Sequence, residues 1–152
     1  MKVERLSHKS GEMVIPIQIL DSVEQAILNV RSPFRKNGVS DIKDEILKGL
    51  YSAGWSEEVQ IDNTSKVTIT SMFEKIGLCL QTGNVGRMYA DLIKLQTLFV
   101  NDVISAGTMV VLDIDAARQL GSNMANSDRL MRELPIYKSV ISLPLVIMSF
   151  GT

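Results

Sequence analysis

The residues best suited to chemistry lie where an apolar segment ends in a polar turn. Residues 76–81 (IGLCLQ) form the apolar segment, and residues 82–84 (TGN) lead directly into an amphipathic stretch. A side-chain amide, a flexible glycine and the free N–H groups of a helix start then converge at one point, which is a common way to build an anion or metal site. The sequence therefore predicts a binding or catalytic site around Gln81.

The elements that position this site begin with three predicted short strands. They cover residues 58–61, 66–70 and 76–81, and residues 71–75 link the last two. Side chains alternate between the two faces of a strand, so one face of this hairpin is expected to be semi-polar. That face would present Thr68, Thr70, Cys79 and Gln81.

A helix is predicted over residues 85–99, because its apolar residues recur three and four apart. Asn84 is suited to cap its first turn, and Arg87 lies four residues before Asp91, the spacing of a helical ion pair. A functional alternative stays open, in which Arg87 contacts a phosphate or a partner subunit and Asn84 caps the helix beside it. Asn84 and Arg87 are therefore the candidate binding residues.

The remaining pattern predicts helices and strands that complete an α/β layer structure. Helices are expected over about residues 22–31 and from Ser40 to a stop at Gly54, and buried strands over residues 108–112 and 145–150. Two short helices separate these strands, capped by Asp113 or Asp115 and by Asn126 or Ser127. This order predicts a central mixed sheet covered by helices.

Composition limits the class of protein. A chain of 152 residues with 45% hydrophobic residues is the size of one domain, expected over residues 1–152. The single cysteine and the absence of a signal-like apolar run predict a cytoplasmic location, and no apolar run reaches the roughly 20 residues of a membrane span. Sixteen basic and 17 acidic residues argue against a nonspecific polyanion binder. Small basic clusters at residues 31–36 and at Arg129 and Arg132 are interpreted as solvated surface.

These residues and the order of elements resemble the restriction-endonuclease-like superfamily, and the nearest branch is BglII-like. The superfamily signature, PD-(D/E)xK, places an acid on one strand and a second acid two residues before a lysine, which the BglII-like branch replaces with glutamine. On this chain the branch's glutamine falls on Gln81, its glutamate on Cys79 and its aspartate on Thr70. The resemblance implies a three-layer α/β core, with a central mixed sheet flanked by helices, and catalytic positions at Thr70, Cys79 and Gln81.

The resemblance also implies hydrolysis of DNA with Mg²⁺ held by carboxylates. Thr70 and Cys79 supply no carboxylate, so we expect a catalytically inactive relative, a pseudoenzyme that binds DNA or regulates a partner, and we assign no metal site or cofactor. The alternative is an active Mg²⁺-dependent endonuclease whose acids have relocated to other elements. Four acids are candidates for that role: Glu45, Glu58, Asp62 and Glu74.

A third alternative is a homo-oligomeric structural or interaction protein without a nucleic-acid role, which the near-neutral charge favours. For a duplex-DNA partner we expect a homodimer, because a single domain of this type needs two copies to embrace a duplex. His8, the single histidine, lies in an N-terminal segment that is expected to be mobile, so no catalytic pair with Cys79 is predicted. One cysteine and one histidine also do not make a zinc site.

Overall fold

The computed structural model describes all residues from Met1 to Thr152. Seven strands are present: β1 (Lys2–His8), β2 (Val59–Gln60), β3 (Thr68–Ile69), β4 (Ser71–Phe73), β5 (Ile76–Gln81), β6 (Ala106–Leu112) and β7 (Leu145–Gly151). The helices are α1 (Gly11–Val14), α2 (Ile17–Leu28), α3 (Val39–Ser52), α4 (Val85–Val100), α5 (Ile114–Leu120) and α6 (Ser127–Glu133), and a 3₁₀ helix follows α6 over Leu134–Tyr137.

Five of the strands form one mixed sheet in the order β1-β7-β6-β5-β4. The central strands β5, β6 and β7 are parallel, and the edge strands β4 and β1 pair antiparallel to β5 and β7. Strands β2 and β3 form a separate two-stranded ribbon. The predicted α/β architecture with a central mixed sheet is therefore confirmed.

Helices cover both faces of the sheet and enclose two apolar cores. One core joins α2, α3 and α5 to one face, and the other joins α4 and α6 to the opposite face. Strands β6 and β7 are buried along their whole length, which explains why their sequences are almost continuously apolar rather than alternating. No helix has both the length and the apolar character needed to cross a membrane.

Local periodicity located most of the elements correctly. Strand β5 covers the predicted residues 76–81, and α4 begins at Val85, as its apolar stripe predicted. Asp113 and Asn126 are the caps of α5 and α6, since their side chains accept the N–H groups of Ala116 and Arg129. These predictions held because caps and stripes depend on residues close together in the chain.

The predicted hairpin partner of β5 was wrong. Residues 71–75 were expected to be a link, but Ser71–Phe73 is strand β4 and pairs directly with β5. A tight turn makes this possible, because Glu74 adopts a left-handed conformation with φ of 51° between Phe73 and Ile76. Thr68–Ile69 pairs with Val59–Gln60 instead.

The N-terminal prediction was also wrong. The N-terminal segment that contains His8 was expected to be mobile, but Lys2–His8 forms edge strand β1, which pairs with the whole of β7. His8 accordingly has a fixed position, with Nε2 2.7 Å from the carbonyl oxygen of Ile141. Helix α2 begins at Ile17 rather than near Ser22, because Pro16 supplies the N-cap and Ser22 lies inside the helix.

Candidate functional site

A cleft of about 210 Å³ lies at the end of β5, and we call it the Gln81 cleft. It exists because β4 covers only the first half of β5, through pairs from Phe73–Ile76 to Ser71–Leu78. Beyond that point Thr70 takes over, with its hydroxyl accepting the N–H of Leu80 at 3.0 Å. The polar lining consists of Lys43, Tyr51, Glu58, Thr68, Thr70, Gln81, Asp91 and Lys94.

Gln81 is held in place by hydrogen bonds at both ends of its amide. Its Nε2 donates to Oδ2 of Asp91 at 2.7 Å, and its Oε1 accepts the N–H of Gly83 at 2.9 Å. The other Asp91 oxygen, Oδ1, accepts from Lys94 Nζ at 3.2 Å. The amide and the carboxylate are therefore already paired within the protein.

Cys79 does not line this cleft. It lies on the same face of β5 as Gln81, but it packs beneath α4 in the apolar core and is only 1% exposed. Burial, and to a smaller extent the charge of Asp91, raises the pKa of its thiol. The expected semi-polar face is thus interrupted at Cys79, while Thr68, Thr70 and Gln81 do line the cleft.

Asn84 and Arg87 lie at the start of α4, next to the cleft. Asn84 is the N-cap, and its Oδ1 accepts the N–H of Arg87 at 3.0 Å. The Arg87 side chain is exposed and forms no ion pair, and its predicted partner Asp91 pairs with Gln81 and Lys94 instead. A role for either residue in binding stays a prediction.

The four acids considered as relocated metal ligands lie in different places. Glu58 lines the Gln81 cleft. Glu45 instead accepts hydrogen bonds from the loop before α3, Asp62 accepts one from Thr64, and Glu74 occupies the β4–β5 turn. Glu58 is therefore the one candidate that reaches the predicted site.

Asp91 is the residue of this site that the sequence reasoning missed. It was assigned to an exposed ion pair, yet the residue is 7% exposed and contacts Gln81 across the cleft. The sequence does contain an indication that Asp91 is buried. It lies three residues after Met88 and four before Leu95, which places it beside the buried stripe of α4. A charged residue at such a position needs a partner, and the polar end of β5 provides one.

The model of the BamHI restriction endonuclease family matches residues 2–150 of this chain. This protein belongs to the BamHI restriction endonuclease family. No curated protein matches its sequence. Among solved structures, BglII complexed with a DNA 16-mer has a TM-score of 0.83 at 9% identity, covering 98% of this chain and 76% of BglII. Free BglII has a TM-score of 0.72 at 11% identity, covering 100% and 80%, and these likenesses show the fold.

Thr70 and Cys79, the residues of this BamHI-family member at the family's acid positions, do not fit the Mg²⁺ ion that the fold implies, because neither carries a carboxylate. Magnesium prefers several oxygen ligands, of which carboxylates supply the negative charge. Around Gln81 the oxygens of Thr70, Gln81 and Asp91 already accept protein hydrogen bonds, and Lys94 pairs with the Asp91 carboxylate. Nowhere in the chain do three or more His, Cys, Asp or Glu side chains form a group that could hold a metal.

Proposed function

We propose that this protein binds duplex DNA without cutting it, as a catalytically inactive binding or regulatory member of its family. The observation that carries the proposal is the pairing of Asp91, whose carboxylate is occupied by Gln81 and by Lys94. Thr70 and Cys79 supply no carboxylate at the family positions, so the family's strands lack the negative charge that holds the metal in metal-dependent hydrolysis. The DNA partner is supported by the fold, since BglII with this fold binds a DNA 16-mer.

The charge of the Gln81 cleft is compatible with a polyanion nearby. Lys43 and Lys94 balance Glu58 and Asp91 along its lining, and Arg87 is exposed at the adjoining start of α4. An exposed guanidinium that forms no ion pair is available to a phosphate oxygen. We therefore assign Arg87 as a DNA-phosphate contact.

Binding is tested by titrating labelled duplex DNA with the protein over a series of KCl concentrations. We expect an affinity whose logarithm falls linearly with the logarithm of salt concentration, because bound arginines and lysines release counterions. Arg87→Gln is expected to reduce the slope by about 1, whereas Arg35→Gln, on the exposed loop before α3, serves as the matched control. Absence of DNA binding, or binding that salt does not weaken, contradicts the proposal.

Inactivity is tested by incubating supercoiled plasmid with the pure protein and Mg²⁺ or Mn²⁺. We expect the plasmid to stay intact at high protein concentration. Metal-dependent nicking that persists through purification would contradict inactivity. A dimer that binds no DNA would instead favour the third alternative, a structural or interaction protein.

One observation favours a second candidate, an active endonuclease with relocated acids. Glu58 and Asp91 line the same cleft as Gln81, so two carboxylates do occur there, on elements other than the family's strands. This candidate predicts cleavage by the natural protein that Asp91→Asn and Glu58→Gln each abolish. Glu45→Gln, which changes an acid outside the cleft, is the control and should leave cleavage intact.

We also propose that the protein is a homodimer. Its support is an apolar surface formed by the outer side of α4, the 3₁₀ helix and the segment that follows it. The exposed fraction is 63% for Ile93, 71% for Ile136 and 69% for Val140. Ile93 and Val140 line two shallow apolar clefts in common, so they form one continuous patch of the kind that marks an interface.

A further inference from the structure

A second cleft, of about 240 Å³, lies between α5 and α6 and is lined by three arginines. Arg118 comes from α5, and Arg129 and Arg132 come from successive turns of α6. We call it the arginine cleft. Ser122 and Asn123 of the connecting loop add polar groups to its lining.

Two of the three guanidinium groups are largely free. Arg132 is exposed and forms no ion pair, and Arg118 lies 3.8 Å from Asp115 on a surface where both side chains are mostly exposed. Such an exposed pair is weak and exchanges readily for a better partner. Arg129 is held in position by Glu133 at 3.1 Å.

The connecting loop adds backbone donors to this positive surface. Ser122 and Asn123 line the cleft, and their backbone N–H groups donate to no protein acceptor. Planar guanidinium groups match the geometry of a phosphate, because each can donate two parallel hydrogen bonds to it. The cleft therefore has the charge and the donors that suit a phosphate group.

The arginine cleft lies at the same end of the sheet as the Gln81 cleft, where the parallel strands finish. Strands β5 and β6 both end there, and helix α5 begins directly after β6. The connecting loop is also bonded to the turn after β5, through Ala125 N to Gly83 O at 2.8 Å and Val85 N to Asn123 O at 3.0 Å. A duplex lying across this end of the sheet would pass both clefts.

We propose that the arginine cleft is a second DNA contact, which binds a backbone phosphate through Arg118, Arg129 and Arg132. The proposal rests on the DNA-binding function proposed above and extends it to a surface outside the family's catalytic positions. Because a phosphate carries no base identity, this contact strengthens binding to every sequence equally. It positions the duplex and does not select a site.

The test compares the natural protein with the double variant Arg118→Gln and Arg132→Gln in the salt-dependent DNA titration. Removing one phosphate contact is expected to lower the slope of log affinity against log salt by about 1, and to weaken binding about tenfold near 0.1 M salt. Arg31→Gln with Arg35→Gln removes the same charge from the loop before α3 and is the matched control. Both double variants change exposed side chains, so both should fold.

Each outcome decides the proposal. A reduced slope in the arginine-cleft variant alone supports it, while an equal loss in both double variants, or none in either, overturns it. If the natural protein binds no DNA, the proposed function fails, and inorganic phosphate is then titrated against ¹⁵N-labelled protein. Phosphate should then change the amide chemical shifts of Ser122 and Asn123, and the double variant Arg118→Gln with Arg132→Gln should abolish those changes. This result would support the anion site, and unchanged amide shifts in the natural protein would overturn it.

Discussion

Asp91 is a charged side chain in a largely buried position, and different groups hold its two oxygens. Its side chain is 11% exposed and that of Lys94 is 27% exposed, so water screens their attraction only in part. A charge buried to this extent is stable only when it is paired and hydrogen-bonded. Gln81 and Lys94 meet that requirement together, which links the end of β5 to the middle of α4.

At this residue scale we predict that Asp91→Asn lowers the free energy of unfolding by about 1.5 to 3 kcal/mol, the size of a lost hydrogen bond to a charged group. The neutral amide leaves Lys94 without a counter-charge. Urea unfolding followed by circular dichroism measures the change. Asp44→Asn, an exposed position on α3, is the control, and an equal effect of both substitutions would contradict the assigned pairing.

Cys79 allows a second prediction at the same scale. Its thiol is buried and its pKa is raised by desolvation, so it is neither accessible nor ionised at neutral pH. We expect no reaction of the native protein with a thiol reagent such as DTNB, and complete reaction in denaturant. Rapid labelling of the native protein would place Cys79 at a surface and restore it as a site residue.

The burial of Cys79 also determines the effect of introducing the family's glutamate at this position. Cys79→Glu would place a larger, charged side chain in the core beneath α4, where desolvation opposes its ionisation although the N–H of Thr70 and the charge of Lys94 are near. Such a chain would lose stability before it gained a metal ligand.

Among the elements, helix α4 contributes Asp91 and Lys94 to the Gln81 cleft. The first turn of this helix depends on one capping residue. Asn84 accepts the N–H of Arg87 and so satisfies a donor that the helix cannot pair. We predict that Asn84→Ala lowers the free energy of unfolding by about 1 kcal/mol. Asn84→Ser keeps a capping oxygen, so chemical denaturation should show that this variant retains most of the free energy of unfolding. Equal losses would show that the cap is not the cause.

The loop between α2 and α3 is fastened by one carboxylate. Glu45 accepts the N–H of Arg31 at 2.7 Å, the hydroxyl of Ser32, and the N–H of Ser32 at 3.1 Å. These bonds to the charged form, led by that of Arg31, lower the pKa of the Glu45 carboxyl below its ordinary value of 4.5.

Because the folded-state pKa is the lower one, the ionised Glu45 stabilises the fold at every pH above 4.5. That stabilisation is lost as the pH falls below 4.5 and through the folded-state value. We predict that Glu45→Gln flattens the dependence of unfolding free energy on pH in this acidic range. Glu57→Gln, whose carboxylate accepts no hydrogen bond, should keep the natural pH dependence in the same unfolding series.

On the scale of the whole molecule, two surfaces remain for partners. The apolar patch of α4, the 3₁₀ helix and the segment after it is proposed to face a second copy. The two clefts at the end of the parallel strands are proposed to face DNA. A dimer would then bring two such edges to one duplex, consistent with the symmetry of most homo-oligomers.

We predict that Ile93→Asp with Val140→Asp converts the dimer to a monomer. Each buried apolar side chain contributes about 1.5 to 3 kcal/mol, so the pair should weaken association by at least about a hundredfold. Light scattering at micromolar concentration measures the mass. Met13→Asp, at an 88% exposed position on α1, is the control. A monomeric natural protein would contradict the dimer.

The sequence by itself determined what depends on near neighbours in the chain. Period-two alternation placed Cys79 and Gln81 on one face of β5, and helical spacing located α4 with its cap Asn84. These features persist because alternation and capping are consequences of backbone geometry over a few residues. The order of elements also carried the family's architecture.

Only the tertiary structure decided which residues share the site. The pairing of β4 with β5, the burial of Cys79 under α4 and the contact between Asp91 and Gln81 all join elements from different parts of the fold. Such contacts depend on which surfaces pack together and which charges then need partners, and alternation does not encode either. For this protein that packing places Asp91, paired with Lys94, beside Gln81.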